Sequence, residues 1–456
     1  MNRPPGVQSL PNELLSRTVS FLDFPSLVHT AHTCAHWRIL AFNDPLFWRD
    51  IAIFGVENHE LDWARLRLDY ARDRPINITV DYRPVDEHVP LKLVPLIRRA
   101  VPRARSIHVC IESLYRLDLE DALCQAAPHL ERLTLLYAAY PPELHLSLPF
   151  GKGKHILADT PGRLRVVRLN SIILPKIPTK AFAAADEVFF NNTLTTYQPD
   201  FPSYLWDFFP NMTRLRLSGG ECHFANAPLP GHIIAAVARL AYLDLKYIAR
   251  SLPGFFRHLP IHKIPEVLIF CADEDAVYSA LDPLRSPFHM MISPVIGEGV
   301  IYPEFNITVR GSDPTLVRHL AEPFCDYYPG SHKTNALLEN NEFAAQLDDL
   351  TMYTTLWDKL ASWLPSFALL PKLIVIIDDD SPDAVLLPRT PIPCPALITL
   401  VLQAKGDFVY VKVDDLLEFA DRLTPSRPVL ELRRVVVTGS RHLLSTRFDK
   451  ITLAVD

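Results

Sequence analysis

The residues most suited to chemistry by type and spacing are three consecutive carboxylates, Asp378-Asp379-Asp380, which follow the apolar run from Leu373 to Ile377. Carboxylates at the end of a strand can hold a divalent cation, which would serve phosphoryl or glycosyl transfer. A solvated loop after a buried strand explains the same residues. Because neither a second acidic cluster nor a nucleotide-binding loop accompanies them, the sequence favours the loop.

Two other groups of residues invite a chemical interpretation that their spacing does not support. The segment Gly151-Lys152-Gly153-Lys154 lacks the G-x-x-x-x-G-K-[ST] spacing of a phosphate-binding loop, and a surface turn explains it better. His32 and His36 lie four residues apart and could share a helix face, but no Glu stands between them to complete H-E-x-x-H. We therefore expect no metal site, no cofactor and no catalytic residue, and we expect that the chain is not an enzyme.

Composition and charge narrow the classes of partner. The chain has 456 residues, 48% of them apolar, with 46 basic and 52 acidic side chains and no block of like charge. This balance argues against nucleic acid or anionic membrane as the main partner. The cysteines are scattered and never form C-x-x-C, the first residues resemble no secretory signal, and no apolar run is long enough to span a membrane. We expect a soluble protein of the cytoplasm or nucleus.

The first predicted structural element is a helical segment at residues 9–55. Pro11, Pro25 and Pro45 each stand where a helix could begin, since proline suits the first helical turn. Apolar residues recur at helical spacing after Pro11, after Pro25 and from Cys34 onward, so three short helices are expected. A bundle of this size buries little surface alone, so its apolar faces need the rest of the chain or a partner.

This segment resembles the F-box in the order and spacing of its residues: LPNELL from Leu10, FLD from Phe21, the pair Trp37-Arg38, and PLFWR from Pro45. One departure is residues 29–33, where two histidines stand among small residues and the family carries aliphatic ones. Leucines at helical spacing also fit an ordinary helical core, but their joint occurrence with the other motifs favours the F-box.

Resemblance to the F-box family implies a set of partners. F-box helices dock on the Skp adaptor, which links them to a cullin scaffold and to a RING subunit that recruits the ubiquitin-charged enzyme. The family pattern places the adaptor contacts of this chain at Leu10, Pro11, Leu14, Leu15, Leu22, Leu27 and Trp37.

From about residue 75 to residue 456 a short pattern recurs, in which an apolar residue is followed by another three positions later and a third two positions after that. The copies are Ala104, Ile107, Val109; Leu130, Leu133, Leu135; Leu164, Val167, Leu169; Met212, Leu215, Leu217; Leu240, Leu243, Leu245; Ile264, Val267, Ile269; Leu397, Leu400, Leu402; and Leu432, Val435, Val437. Many recur at intervals near the roughly 20 to 29 residues of leucine-rich repeats. The pattern predicts a series of related strands.

Helices are predicted between these strands, for example at 275–284, 353–363 and 414–420. The region thus resembles the degenerate leucine-rich repeats that often follow an F-box, although the Asn or Cys expected after each strand is absent and residues 275–370 break the rhythm. The predicted fold class is α/β, with an N-terminal three-helix F-box followed by an irregular leucine-rich-repeat-like α/β solenoid.

The leading functional hypothesis is a substrate-receptor subunit of an SCF-type ubiquitin ligase, with the F-box binding the Skp adaptor and the repeats binding an unidentified target protein. The alternative is an F-box scaffold or regulatory protein that acts without ubiquitin transfer. An enzyme appended to an F-box is the third reading, and the absence of a catalytic motif disfavours it.

Overall fold

The computed structural model describes most of the chain. The described residues are 10–54, 58–82, 89–113, 119–139, 146–147, 150–151, 154–175, 177–191, 200–224, 228–247, 249–270, 273–294, 304–323, 337, 340–361, 364, 366–378 and 387–454. They belong to two compact units, Met1–Ser218 and Gly219–Asp456. No helix within the described residues has both the length and the apolar character that a membrane crossing requires.

The first unit begins with helices and continues as alternating helices and strands. Its α-helices are α1 (Asn12–Val19), α2 (Phe24–Thr33), α3 (Ala35–Asn43), α4 (Pro45–Arg49), α5 (Asn58–Ala71), α6 (Val89–Ala100), α7 (Leu119–Leu123) and α8 (Leu205–Phe208). Its strands are β1 (Asp50–Ile53), β2 (Ile76–Tyr82), β3 (Ala104–Ser113), β4 (Arg132–Ala139), β5 (Leu146–Ser147), β6 (Phe150–Gly151), β7 (Lys154–His155), β8 (Val166–Asn170), β9 (Ile172–Ile173), β10 (Glu187–Asn191) and β11 (Arg214–Ser218). Short 3-10 helices lie at Val101–Arg103, Ile156–Asp159 and Lys180–Phe182.

The N-terminal helices begin where the prolines predicted. Pro11 is the N-cap residue of α1, and Pro25 and Pro45 stand in the first turns of α2 and α4. Aspartates cap two of these helices, because Asp23 accepts a hydrogen bond from the Ser26 N–H at 3.0 Å and Asp44 accepts one from the Leu46 N–H at 2.8 Å. Three helices were expected in this segment and four are present among its described residues, since Pro45 begins a separate helix after α3 has ended.

Helix α5 covers the end of the N-terminal helices. Trp48 of α4 stacks on Tyr70 of α5 with ring centroids 4.8 Å apart. Arg67 of α5 is 3% exposed, and its Nη2 donates a hydrogen bond of 2.7 Å to the Phe47 carbonyl. Burial lowers the pKa of Arg67 to about 10, which still leaves it charged at neutral pH. The last turn of α4 is therefore held by groups outside the first 55 residues.

Substitution of Arg67 tests this attachment. We expect Arg67→Met to lower the free energy of unfolding by about 2 kcal/mol, because the Phe47 carbonyl loses a charged hydrogen-bond donor in a buried position. The matched control is Arg65→Met on the same helix, whose exposed ion pair with Asp62 should contribute less than about 0.5 kcal/mol. Chemical denaturation measures both. Equal effects of the two substitutions would contradict a structural role for the buried hydrogen bond.

Seven strands of the first unit form a parallel sheet in the order β1-β2-β3-β4-β8-β10-β11. The register aligns the second position of the three-residue pattern, so that Ile107, Leu133, Val167, Val188 and Leu215 form one row across five strands. Each of these side chains is buried. The row includes one copy absent from the sequence analysis, which is Ala185, Val188 and Phe190.

The second unit has a larger and mixed sheet. Its strands are β12 (Tyr242–Lys246), β13 (Glu266–Phe270), β14 (Phe288–Pro294), β15 (Glu304–Arg310), β16 (Val317–Pro323), β17 (Leu347–Tyr353), β18 (Lys372–Ile377), β19 (Thr399–Ala404), β20 (Val409–Lys412), β21 (Val429–Arg433), β22 (Val435–Thr438) and β23 (Lys450–Ala454). Its α-helices are α9 (Gly231–Val237), α10 (Leu252–His258), α11 (Glu274–Leu281), α12 (Asn341–Ala344), α13 (Thr354–Leu360), α14 (Val413–Leu423) and α15 (Leu444–Arg447). Short 3-10 helices lie at Ala249–Ser251, Ile261–Lys263 and Arg441–Leu443.

The strand order in this unit explains the break in the sequence rhythm. The order is β12-β13-β16-β15-β14-β17-β18-β19-β21-β23, and it is parallel except where β15 pairs with β14 and with β16. Both antiparallel pairs lie inside residues 275–370. The same range contains one further copy of the three-residue pattern, formed by the buried residues Leu347, Leu350 and Met352.

One predicted copy of the pattern has the wrong register. Leu432 pairs with Leu402, but Val435 and Val437 lie on β22, which pairs with β20 and not with β19. The cause is Arg434, whose φ of 55° places it in the left-handed region and ends β21. The copy on β21 is instead Leu430 and Leu432, which pair with Leu400 and Leu402.

Candidate functional site

The N-terminal helices have a closed core. Leu15 and Leu27 are 1% and 0% exposed, and Val19 and Ala41 are also buried. Two side chains tie successive helices together, since Arg38 Nε donates to the Ala31 carbonyl at 3.0 Å and Trp48 Nε1 donates to the Phe42 carbonyl at 2.6 Å. Substituting either Leu15 or Leu27 would therefore disturb the core of the bundle.

The same N-terminal segment also carries large apolar side chains on its surface. Leu10 and Leu14 are 45% and 51% exposed, Phe21 is 80% exposed, and Ile39 and Phe42 are 61% and 39% exposed. Single exposed apolar residues are ordinary, but five of them within 33 residues of a small bundle are an unusual concentration. We call these five residues the apolar surface set.

The seven predicted adaptor contacts fall into three groups by exposure. Leu10, Pro11 and Leu14 are exposed, Leu22 and Trp37 are half-buried, and Leu15 and Leu27 are buried. The other three members of the apolar surface set, Phe21, Ile39 and Phe42, are not among these seven residues. The exposure of Ile39 could have been predicted from the helical spacing. Leu40 and Ala41 are on the buried face of α3, and Ile39 lies outside that face.

A comparison with known protein families matches this segment. Residues 7–53 fit the family model described as F-box-like. The chain carries an F-box-like domain. The apolar surface set lies inside this F-box-like domain, which supports a role in protein–protein interaction. No curated protein matches the chain.

The first residue of the acidic triplet, Asp378, stabilises the start of a helix. Asp378 follows β18 and accepts hydrogen bonds from Thr354 Oγ1 at 2.9 Å, from Thr355 Oγ1 at 2.7 Å and from the Thr355 N–H at 3.2 Å. Thr354 and Thr355 begin α13, so Asp378 caps this helix from the next strand. Asp379 and Asp380 lie outside the described residues.

The cap gives Asp378 a role that the loop interpretation did not include, and the effect of removing it can be measured. We expect Asp378→Ala to lower the free energy of unfolding by about 1 kcal/mol, because the first turn of α13 loses its acceptor. Asp407→Ala, at an exposed position, is the matched control and should be neutral. Addition of magnesium, manganese or calcium should not change the stability of either protein. A divalent ion that stabilises the wild type and not Asp378→Ala would revive the metal interpretation.

The histidine pair does not form the geometry that its spacing allowed. His32 lies in the last turn of α2 and His36 in the first turn of α3, with the break at Cys34, so the two residues do not share a helix face.

Elsewhere in the described part of the chain, His289, Asp348 and Asp349 bring potential ligand atoms within 4.8 Å of one another. His289 Nδ1 is 2.7 Å from Asp349 Oδ2. The two residues are cross-strand partners on β14 and β17, while Arg310 stands opposite His289 on β15. Since a positive charge beside the group disfavours a cation, we assign these residues to the pairing of the strands.

Proposed function

We propose that this chain is a substrate-receptor subunit of an SCF-type ubiquitin ligase. In this proposal the F-box-like domain binds the Skp adaptor, and the adaptor connects it to the cullin scaffold and the RING subunit. The observation that carries the proposal is the apolar surface set on an F-box-like domain whose own core is already closed. Side chains that are left exposed by a complete core are available for a partner.

The contact would be made by the exposed members of the domain. Leu10, Pro11 and Leu14 stand at the start of α1, and Phe21 follows its end. Removing such side chains from water favours association by about 25 cal/mol for each Å² of apolar surface. Leu15 and Leu27 act in this account by holding the helices in place, because their side chains are buried within the chain itself.

The remainder of the chain provides the surface for target proteins. We infer that the successive parallel strands belong to a leucine-rich-repeat-like solenoid, supported by the rows of buried residues that continue from strand to strand in each unit. A receptor of this kind acts by proximity, since it raises the local concentration of target lysines beside the charged enzyme. It needs binding surfaces and no catalytic residues, and its partners would be proteins of the cytoplasm or nucleus, neither nucleic acid nor membrane.

Reconstitution with purified subunits tests the proposal. The full chain should form a stable complex with the Skp adaptor, and it should bind the cullin only when the adaptor is present. Size-exclusion chromatography with light scattering distinguishes these complexes by mass. A folded chain that fails to bind the adaptor would overturn the proposal. Binding of the adaptor and cullin without any ubiquitin transfer to captured proteins would instead favour the scaffold alternative.

A further inference from the structure

A cavity of about 490 Å³ lies in the first unit, at the edge of the sheet where its parallel strands begin. Strands β2, β3, β4 and β8 are neighbours and run in the same direction, so the residues at their starts meet at one edge. The last residues of α4 and α5 complete the wall. The volume is within the range of small-molecule sites, which is about 300 to 1,000 Å³.

The cavity is cationic although the protein is acidic. Arg49, Arg74, Arg105 and Arg163 line it against a single acid, Glu131, so the lining has a formal charge of +3 with His129 neutral. The whole chain has a formal net charge of −6. Arginines gathered around one concave surface repel one another, and an anion removes that repulsion.

Two of these arginines have no acidic partner among the residues that the structure describes. The other two arginines are paired with acids. Arg105 Nε lies 2.9 Å from Glu131 Oε2, and Arg49 Nη2 lies 3.4 Å from Asp50 Oδ2. Arg74 and Arg163 are exposed, and neither guanidinium makes a hydrogen bond or an ion pair in the part of the chain that the structure describes. The Nε atom of Arg49 is likewise buried and without a hydrogen-bond acceptor among the described residues.

The remaining wall is apolar. The exposed prolines Pro45 and Pro75 belong to the lining, together with Trp48, which keeps 4% of its surface accessible, and the fully buried Ala71 and Ile76. The indole of Trp48 is fixed on both sides, by its hydrogen bond to the Phe42 carbonyl and by its stacking on Tyr70. The site therefore combines a rigid apolar wall with unpaired guanidinium groups.

We propose that this cavity binds a small organic phosphate monoester, with its phosphate between Arg74 and Arg163 and its aromatic or aliphatic group against Pro45, Pro75 and Trp48. A phosphate monoester carries a charge of about −1.5 to −2 at pH 7, which matches several arginines better than the single charge of a carboxylate does. Guanidinium groups also bind phosphate oxygens in bidentate fashion. None of the five residues of the apolar surface set lines the cavity, although Phe42 contacts Trp48, and the proposal does not rest on adaptor binding.

Phenyl phosphate is the probe for this site, used with the full chain in isothermal titration calorimetry. We expect saturable binding of phenyl phosphate, weaker binding of inorganic phosphate because the apolar wall is not used, and no binding of phenol. The double variant Arg74→Gln/Arg163→Gln should reduce the affinity for phenyl phosphate by at least about tenfold, since each arginine donates a charged hydrogen bond.

The control is Arg132→Gln/Arg239→Gln, which removes the same charge from exposed positions outside the cavity and should bind phenyl phosphate like the wild type. Equal losses in the two double variants, or the absence of saturable binding to the wild type, would overturn the proposal. Equal affinity for phenyl phosphate and inorganic phosphate would overturn the role of the apolar wall. If a phosphotyrosine peptide binds more than tenfold tighter than phenyl phosphate, the natural ligand is a phosphorylated protein segment and the proposal of a small ligand is wrong.

Discussion

Replacing Leu14 and Phe21 together with aspartate should abolish stable binding of the Skp adaptor while leaving the chain folded. Both side chains are exposed in the chain alone, at 51% and 80%, so neither contributes much to its core. In the complex the two carboxylates would be taken out of water without a partner. We expect the affinity to fall at least about 100-fold, which corresponds to about 3 kcal/mol.

The stability of this variant should be close to that of the wild type. Leu14 lies in the first turn of α1, where an acidic side chain interacts favourably with the helix dipole. The matched control is Leu453→Asp/Phe408→Asp, which makes the same two exchanges at positions that are 68% and 67% exposed in the second unit. Calorimetry with the purified adaptor measures both. Wild-type affinity in the Leu14→Asp/Phe21→Asp variant would show that these residues do not contact the adaptor.

Replacing Leu243 with aspartate should unfold much of the second unit. Leu243 is 1% exposed on β12 and is the register partner of Val267 on β13, in the middle position of the repeated pattern. An aspartate there would place an unpaired carboxylate in an apolar row, at a cost of about 3 to 5 kcal/mol. Because each strand is supported by its neighbours, the damage should extend to adjacent strands.

Limited proteolysis and adaptor binding together report this result. Residues 219–456 should become sensitive to protease in Leu243→Asp, whereas the adaptor should still bind through the F-box-like domain of the first unit. Leu369→Asp is the control, since Leu369 is 61% exposed in the same unit and should tolerate the exchange. If Leu243→Asp is as resistant to protease as the wild type, the assignment of the pattern to the core is wrong.

Much of the fold was predictable because its signal is local. The spacing of three apolar residues identifies the buried side of each strand, and prolines mark the starts of α2 and α4. The prediction failed at Val435 because a single residue, Arg434, adopts a left-handed conformation that no apolar pattern reveals. The fourth helix was missed because five residues are too few to show a helical period.

The exposed apolar residues and the cationic cavity were less accessible to sequence reasoning. Leu10 and Leu14 were identified by resemblance to the F-box signature, but the burial of Leu15 and Leu27 depends on how the helices pack. The cationic cavity was missed entirely, because Arg74, Arg105 and Arg163 are far apart along the chain and come together only at the edge of the sheet where β2, β3 and β8 begin.

The most direct test of receptor function compares the wild type with Leu14→Asp/Phe21→Asp in cells, by affinity capture and quantitative mass spectrometry with and without proteasome inhibition. We expect both proteins to capture the same targets. Only the wild type should capture the Skp adaptor and cullin, and only the wild type should increase the ubiquitin linked to those targets when the proteasome is inhibited. Capture of adaptor and cullin by the wild type, with no protein whose ubiquitination depends on Leu14 and Phe21, would contradict the receptor function.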